Sequence, residues 1–251
     1  MPPSTPSASP PEVGARLALA EHLEELRRRL AAGLLALITG CLVGLVFADK
    51  IITWLRQPAG ALLERFAFFS PLEPLMAYLK VALVAGLAMS MPALLWQAWA
   101  FVRPGLRPQE RRYGLIFVGW GSVQFLLGAA VAQYLLLPVS LRILLGMASD
   151  VMIPVISIDR YLTFVTSLIL ACGLLFELPV VLVILARLGI VTSEWLRQQR
   201  PYAVLVLVIT AAVVTPTTDP LNLMLMAVPL VLLYEASIHL ARLAPRHRRR
   251  T

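Results

Sequence analysis

Six apolar runs constrain this chain more than any other feature of its sequence. Four of them approach or exceed the roughly 20 residues that an α-helix needs to cross the hydrocarbon core of a bilayer. Apolar residues make up 59% of the 251 residues and charged residues only 14%, which is unlike a soluble domain. Because a lone strand in hydrocarbon would leave its backbone groups unpaired, the runs are expected to be helices. They cover residues 31–48, 81–102, 113–137, 161–186, 202–214 and 221–234.

The last two runs are short and are separated by the sequence TPTTDP. They form either one broken span or two spans, and the flanking charges favour two. Arginines precede the fifth run and follow the sixth, and basic flanks stay on the cytoplasmic side of a membrane. The fifth run has 13 residues and reaches only about 20 Å as a helix. The sequence therefore predicts an all-α polytopic membrane protein with six transmembrane helices, of which helices five and six are short.

The distribution of basic residues predicts the orientation of the chain. Most of the 22 lysines and arginines precede the first run, follow the second and fourth runs, or lie in the C-terminal tail. Both termini are therefore predicted to be cytoplasmic. The net charge of +8 is a topology signal and does not indicate nucleic-acid binding, although the tail arginines are expected to contact anionic lipids. We predict a disordered Pro/Ser-rich tail (1–19), a membrane domain (20–243) and a basic cytoplasmic tail (244–251).

The loops contain local signals for helix ends. Ser70 and Glu73 in SPLE predict a capping box at the start of the second span, and Asp159 is a candidate cap for the fourth. The mixed apolar and charged segment 49–69 predicts a short helix lying on the outer face. Cys41 and Cys172 both fall within spans and are interpreted as small core residues.

Two glutamates in the sequence EHLEELRRRL are not needed for membrane insertion. Glu24 and Glu25 allow two interpretations: intrahelical pairs with Arg28 and Arg29 at i,i+4, or a binding site for a cationic ligand. Glu110, in the loop sequence PQERR, has the same ambiguity. Neighbouring arginines would keep such carboxylates ionised. Two carboxylates at one membrane surface are suited to bidentate binding of paired guanidinium groups.

Glu177 is a stronger anomaly because it lies deep within the fourth run, two residues before Pro179. An acid in the middle of a membrane costs roughly 2.5 kcal/mol or more and is by default a candidate functional residue. The alternative is a protonated carboxyl group bonded to backbone that Pro179 leaves unpaired. Glu235 and Asp219 are better explained by proximity to the interface and by a turn, respectively.

Six ordered motifs over residues 20–243 resemble the TatC family, the multispanning core of the twin-arginine protein translocase. They are HLEELRRRL before the first span, SPLEPLMAYLK and WQAWAFVRPGLRPQERR around the second, FELPVVL in the fourth, and GIVTSEWLRQQRPYAVLV with TPTTDPLNLMLMAVPLVLLYE around the fifth and sixth. The resemblance implies export of folded proteins across a bacterial-type cytoplasmic membrane, driven by the proton-motive force. It implies no enzymatic activity, no cofactor and no metal.

The resemblance also implies partners and site residues. The expected partners are TatA-like and TatB-like single-span subunits, precursors with twin-arginine signal peptides, membrane lipids and further copies of the chain within a receptor complex. The residues expected to bind the signal peptide are Glu25, Glu110, Arg27, Phe101, Pro104 and Gly105, with Glu24 as a further candidate. The residues expected to form an intramembrane docking face are Glu177, Thr163 and Thr166. Asn222 is a weaker candidate, because the family often has a glutamine in a different register after the aspartate of the last turn.

Two other classes of function are weighed against this one. The sequence EELRRR matches a motif of membrane metalloproteases, but His22, His239 and His247 form no i,i+4 pair and no His-Glu-x-x-His site. A small-solute secondary transporter is the alternative, and it would be expected to show inverted repeats with polar residues at the midplane. Glu177 and the short last helices fit that pattern loosely, but residues 31–137 and 161–240 show no repeat. Solute uptake by proteoliposomes containing this protein alone would favour the transporter.

Overall fold

The computed structural model describes residues 11–62, 66–106, 108–109, 111–146, 155–214 and 220–243. This described part consists of helices and connecting loops, which confirms the all-α prediction. Its α-helices are α1 (Pro11–Val46), α2 (Ala48–Arg56), α3 (Glu73–Val102), α4 (Gly114–Val131), α5 (Leu137–Gly146), α6 (Ile158–Phe176), α7 (Leu178–Arg187), α8 (Ser193–Gln198), α9 (Arg200–Val214) and α10 (Pro220–Leu243).

Five helical segments of the described chain are long and apolar enough to cross a membrane, and α9 is a shorter sixth. With 15 residues α9 reaches about 22 Å, in keeping with the predicted short fifth helix. The last helix is longer than predicted, because α10 has 24 residues and continues beyond the apolar run. Its polar continuation includes Glu235, which is paired with Arg200 at 2.6 Å. The long segments are Glu21–Val46, Glu73–Gly105, Arg111–Gly146, Ile158–Arg187 and Leu223–Arg242.

Helix α1 begins at Pro11, within the segment predicted to be a disordered tail. Proline is favourable in the first turn of a helix because its missing N–H would be unpaired there in any case. The residues that follow, ARLALAEHL, are mostly strong helix formers. Residues 11–19 are thus helical in the structure, and the boundary between a disordered tail and the membrane domain stays a prediction. Residues 1–10 and the basic tail 244–251 lie outside the described part of the chain.

Helices α1 and α3 pack backbone against backbone through small residues. A Cβ atom on Gly40 would lie 2.5 Å from the carbonyl oxygen of Gly86, and one on Gly44 would lie 2.9 Å from that of Ala82. Gly40 and Gly44 form a G-x-x-x-G pattern, which allows close approach of helices in membranes, where the hydrophobic effect does not drive association. This contact brings the start of α1 alongside the end of α3.

The third and fourth spans are irregular near their midpoints. Residues Ala132–Leu136 form a π-helical segment between α4 and α5, and Pro138 follows it. The fourth span breaks at Glu177, whose backbone N–H donates to the carbonyl of Leu174, three residues back. Pro179 explains this break, because it has no N–H to donate to the preceding turn. Glu177 thus lies where two helical segments, α6 and α7, meet.

Helix α2 corresponds to the short helix predicted within residues 49–69. It lies at the end of the helical bundle where α3 and α6 begin. Tyr161 donates its hydroxyl to the carbonyl oxygen of Leu55 at 2.9 Å, and Gln133 donates to that of Trp54 at 3.1 Å. Tyr161 thus binds a carbonyl in the last turn of α2, where intrahelical donors run out. The Trp54 carbonyl accepts a second hydrogen bond, because the backbone N–H of Gln57 also donates to it. Long-range contacts therefore hold α2 against α6 and the π-helical segment.

The side chains predicted to cap the starts of α3 and α6 do not do so. Glu73 does not complete a capping box with Ser70, because its carboxylate accepts a hydrogen bond from Ser157 at 2.6 Å. Ser157, not Asp159, caps α6 by accepting from the Asp159 backbone N–H. The Asp159 carboxylate instead pairs with Lys80 of α3 at 2.5 Å. In both cases a side chain that was expected to cap its own helix instead binds a residue that is distant in sequence.

Candidate functional site

The start of α1 is held against the end of α3 by two side-chain contacts. The His22 ring stacks on the Phe101 ring, with centroids 4.5 Å apart, and the Arg29 guanidinium donates to the Gln97 side-chain oxygen at 3.4 Å. His22, Glu25 and Arg29 are spaced three and four residues apart and therefore share one face of the helix. Glu25 consequently lies between the two contacts, on the side of α1 that faces α3.

The neighbouring glutamates have different environments. Glu25 has a side chain only 28% exposed, and one of its oxygens lies 3.4 Å from Arg29. Glu24 is 64% exposed and pairs with Arg27 at 2.7 Å, so the expected pair with Arg28 is wrong, whereas the pair between Glu25 and Arg29 is confirmed. Successive residues are about 100° apart around a helix. The geometry therefore places Glu25, and not Glu24, toward α3.

The loop after α3 is folded back on the end of that helix. Arg103–Gly105 form one helical turn, and Arg111 donates hydrogen bonds to the carbonyl oxygens of Pro104 and Leu106, both at 3.3 Å. Leu106 is buried, and a Cβ atom on Gly105 would lie 3.1 Å from Leu188, so the loop also packs on the turn after α7. Glu110 itself lies outside the described residues. Its neighbour Arg111 is nevertheless fixed to the end of α3.

Tyr113 anchors the same loop from its other end. Its ring lies 5.0 Å from the guanidinium carbon of Arg112 and 5.6 Å from that of Arg187, and Arg112 also donates to its hydroxyl at 3.0 Å. A cation placed near an aromatic ring is attracted by the negative face of the ring. Neither Arg111 nor Tyr113 was predicted to anchor the loop. The adjacent arginines and tyrosine in ERRY were the available signal, but a sequence pattern does not show that Arg111 reaches back to the loop carbonyls or that Arg187 lies near the Tyr113 ring.

Glu177 lies in a packed region between α3, α4 and α7. It is 7% exposed, and neither carboxylate oxygen has a hydrogen-bond partner among the described residues. The alternative predicted from the sequence, a carboxyl group bonded to free backbone, is therefore not what the structure shows. One oxygen lies 3.1 Å from the position that a Cβ atom on Gly121 would occupy, and the Leu95 side chain borders the same space. Gly121 leaves room for the carboxylate because it has no side chain.

Thr163 and Thr166, which were also expected in the docking face, are not brought to Glu177. Thr163 lies 14 residues earlier in the fourth span, about 21 Å along a helix, and accepts a hydrogen bond from Lys80 at 2.7 Å. Thr166 is buried and donates to the carbonyl oxygen of Leu162 in its own helix. Asn222 belongs to the first turn of α10, but its side chain lies outside the described part of the structure.

The described residues contain no group of three or more His, Cys, Asp or Glu side chains that could hold a metal ion. The candidate site is instead an arrangement of charged and aromatic side chains at the face where α1 begins and α3 ends. We call this face, defined by His22, Glu25, Arg29, Gln97 and Phe101, the α1–α3 cleft.

Comparison with known proteins gives consistent matches over most of the chain. The family model described as "Sec-independent protein translocase protein (TatC)" matches residues 21–229. The protein of that name from Carboxydothermus hydrogenoformans is 38% identical over 226 residues, which cover 90% of this chain and 93% of that protein. The Aquifex aeolicus protein of the same name is 35% identical, with 92% of this chain and 97% of that protein covered.

Solved structures agree with these matches. Two crystal structures of the twin-arginine translocase receptor TatC, one of them in DDM, superpose with TM-scores of 0.76 and 0.78 at 35% and 34% identity. Both comparisons cover 90% of this chain and 100% of the other. The similarity therefore extends over nearly all of the membrane-spanning part of the protein and includes the α1–α3 cleft. From its helices, its sequence and these matches, the chain belongs to the TatC family of multi-pass membrane proteins, which are Sec-independent protein translocase proteins.

Proposed function

We propose that this TatC-family protein is the receptor and core subunit of a twin-arginine translocase. It binds twin-arginine signal peptides at the cytoplasmic face and exports folded proteins using the proton-motive force. TatA-like and TatB-like single-span subunits assemble with it, together with further copies of the receptor. Both termini are cytoplasmic in this proposal, because most of the lysines and arginines lie on that side.

One observation carries the proposal: two contacts hold Glu25 beside the end of α3, from which the loop containing Glu110 leaves. The stack of His22 on Phe101 and the bond from Arg29 to Gln97 fix Glu25 from both sides. Arg111, the residue after Glu110, bonds to carbonyls at the start of the same loop. Two adjacent residues of an extended peptide span only about 7 Å. A receptor for paired arginines therefore needs two acids from segments that converge in this way.

The chemistry of the ligand follows from the two carboxylates. A guanidinium group donates two parallel hydrogen bonds to a carboxylate, whereas an ammonium group acts as a point charge. Glu25 is partly buried at the edge of the membrane, and its pair with an incoming arginine should therefore exceed the ~0–1 kcal/mol typical of exposed pairs. Leaders with two arginines are consequently expected to bind more tightly than leaders with two lysines.

The test is to measure signal-peptide binding to the purified protein with Glu25 or Glu110 replaced by alanine. A hydrogen bond to a charged group contributes about 1.5–3 kcal/mol, so each variant should lose on the order of tenfold or more in affinity. Glu24→Ala removes the same charge one residue away and should lose less, because Glu24 is exposed and already paired with Arg27. Photocrosslinking of a twin-arginine precursor to Glu25→Ala and Glu110→Ala as efficiently as to the original protein would refute the proposal.

The proposal also assigns Glu177 to a docking site for a single-span partner. Its carboxylate is buried and has no hydrogen-bond partner among the described residues, so a polar group on a partner helix would satisfy it. Cysteine crosslinking between a TatB-like subunit and positions along α7 and α9 tests this assignment. Crosslinks concentrated near the level of Glu177 are expected, and a partner that never reaches these helices would exclude it.

A further inference from the structure

The internal partner of Glu25 has a geometry that suggests a second role for Arg29. We infer that Arg29 is an intramolecular competitor that occupies Glu25 in the free receptor and is displaced by an arginine of the signal peptide. This inference rests on the proposed role of Glu25. Arg29 is thus assigned as a positioning residue that sets how tightly the peptide is held.

The contact between Arg29 and Glu25 is weak enough to be displaced. A single nitrogen–oxygen distance of 3.4 Å joins the two side chains, and the arrangement is not bidentate. Charge-assisted hydrogen bonds of good geometry are shorter, at about 2.7–2.9 Å. The pair of Glu24 with Arg27, at 2.7 Å, shows that the same helix accommodates a closer contact. An incoming guanidinium that forms two short bonds would therefore replace Arg29 with a net gain.

Arg29 has a second neighbour that keeps it close to Glu25 after displacement. Its other terminal nitrogen donates to the Gln97 side-chain oxygen on α3, also at 3.4 Å. When the peptide takes Glu25, Arg29 keeps Gln97 as a neighbour on α3, although its buried Nε has no hydrogen-bond partner among the described residues. The same arrangement explains release, because Arg29 remains close enough to recapture Glu25 when the peptide leaves.

Competition of this kind makes a quantitative prediction. Since the contact between Arg29 and Glu25 must break before any ligand binds Glu25, removing it should improve the affinity of all cationic leaders by the same factor. A partly exposed ion pair contributes about 0–1 kcal/mol, which corresponds to an increase of up to about fivefold. Arg29→Gln is therefore expected to bind a twin-arginine leader about two- to fivefold more tightly, and a twin-lysine leader by the same factor.

The experiment measures binding of fluorescent twin-arginine and twin-lysine leader peptides to the full-length protein in nanodiscs. A salt concentration near 0.15 M limits long-range electrostatic effects to within about 8 Å. Arg28→Gln is the matched control: it removes the same charge from the adjacent residue, which is exposed and makes no polar contact with a described residue. It should leave the affinity unchanged. Arg29→Lys keeps the charge and should give a smaller gain than Arg29→Gln, which allows a test even if the glutamine variant folds poorly.

A double variant separates the inference from the proposed function. In the background of Glu25→Gln, Arg29→Gln should give no further gain, because there is no carboxylate left to release. Unchanged or weaker binding by Arg29→Gln and Arg29→Lys, with Glu25→Gln still impaired, would overturn the competitor role alone. An equal gain in Arg28→Gln would also overturn it, since the effect would then be general charge repulsion. If Glu25→Gln binds as well as the original protein, the proposed receptor function fails and the competitor role fails with it.

Discussion

Replacing Gly86 by alanine should separate helices α1 and α3 and destabilise the protein. A Cβ atom at this position would lie 2.5 Å from the backbone nitrogen of Cys41 and 2.6 Å from its Cα and sulfur atoms. Two of these three atoms belong to the backbone of α1, which cannot move aside as a flexible side chain does. The helices must therefore shift apart by about 1 Å to restore ordinary carbon contacts of about 3.5 Å.

The size of the effect follows from two opposing terms. Overpacking a close contact costs typically about 1–3 kcal/mol, whereas alanine improves helix propensity over glycine by up to about 1 kcal/mol. Gly119→Ala isolates the second term, because a Cβ atom on Gly119, in α4, would meet nothing within 4 Å. Both substitutions gain the same propensity, so the difference between the two variants should be about 1–3 kcal/mol, the cost of overpacking.

Thermal unfolding of the two variants in the same detergent measures this difference. Gly119→Ala should unfold at or slightly above the temperature of the original protein, and Gly86→Ala several degrees below it. Because the α1–α3 contact also aligns Glu25 with Phe101, Gly86→Ala should bind the signal peptide less tightly even at temperatures where it remains folded. If Gly86→Ala were as stable as Gly119→Ala, the close approach of the two helices would not exist as described.

Two further predictions concern buried polar groups. Tyr161→Phe should destabilise the protein by about 1–3 kcal/mol in thermal unfolding, because the buried carbonyl of Leu55 loses its donor. Tyr202→Phe, at an exposed position, is the control. An equal loss of stability in Tyr202→Phe would contradict the role assigned to the Tyr161 hydroxyl. Glu177→Leu should raise the unfolding temperature of the isolated protein, because it removes a buried carboxylate without a described partner. The same variant should lose export of a twin-arginine precursor, and full export with a leucine at this position would exclude a role for the carboxylate in docking.

The apolar runs determined the helical spans because a bilayer leaves a chain few other choices. Backbone groups in hydrocarbon must be paired within the same segment, so run length and composition are sufficient to predict helices. Local rules were less reliable at the ends. Residues 11–19 are helical, although their proline- and serine-rich neighbours suggested disorder, and α10 continues beyond its apolar run because Glu235 pairs with Arg200.

The sequence also identified which charges needed an explanation but not how they are arranged. Glu25 and Glu177 stood out because membrane insertion does not require an acid at either position. The structure then distinguished Glu25 from Glu24, since only one of two adjacent residues on a helix can face α3. No periodicity within α1 could make that choice, because it depends on which side of α1 the glycines Gly40 and Gly44 pack against α3.

Contacts between distant segments were decided by tertiary structure alone. Lys80 with Asp159, Glu73 with Ser157 and Arg29 with Gln97 each join residues more than 60 positions apart. The backbone groups of a local capping box and a distant side chain compete for the same carboxylate. Helix packing decides the competition when it brings the distant side chain within hydrogen-bond distance, as for Glu73 and Ser157. Hydrophobicity and charge belong to each segment, so the amino-acid order was sufficient to predict what is buried in the membrane and where charge is left over. Which charges meet was decided by the crossing of α1 and α3, because that geometry depends on the shape of both helices together.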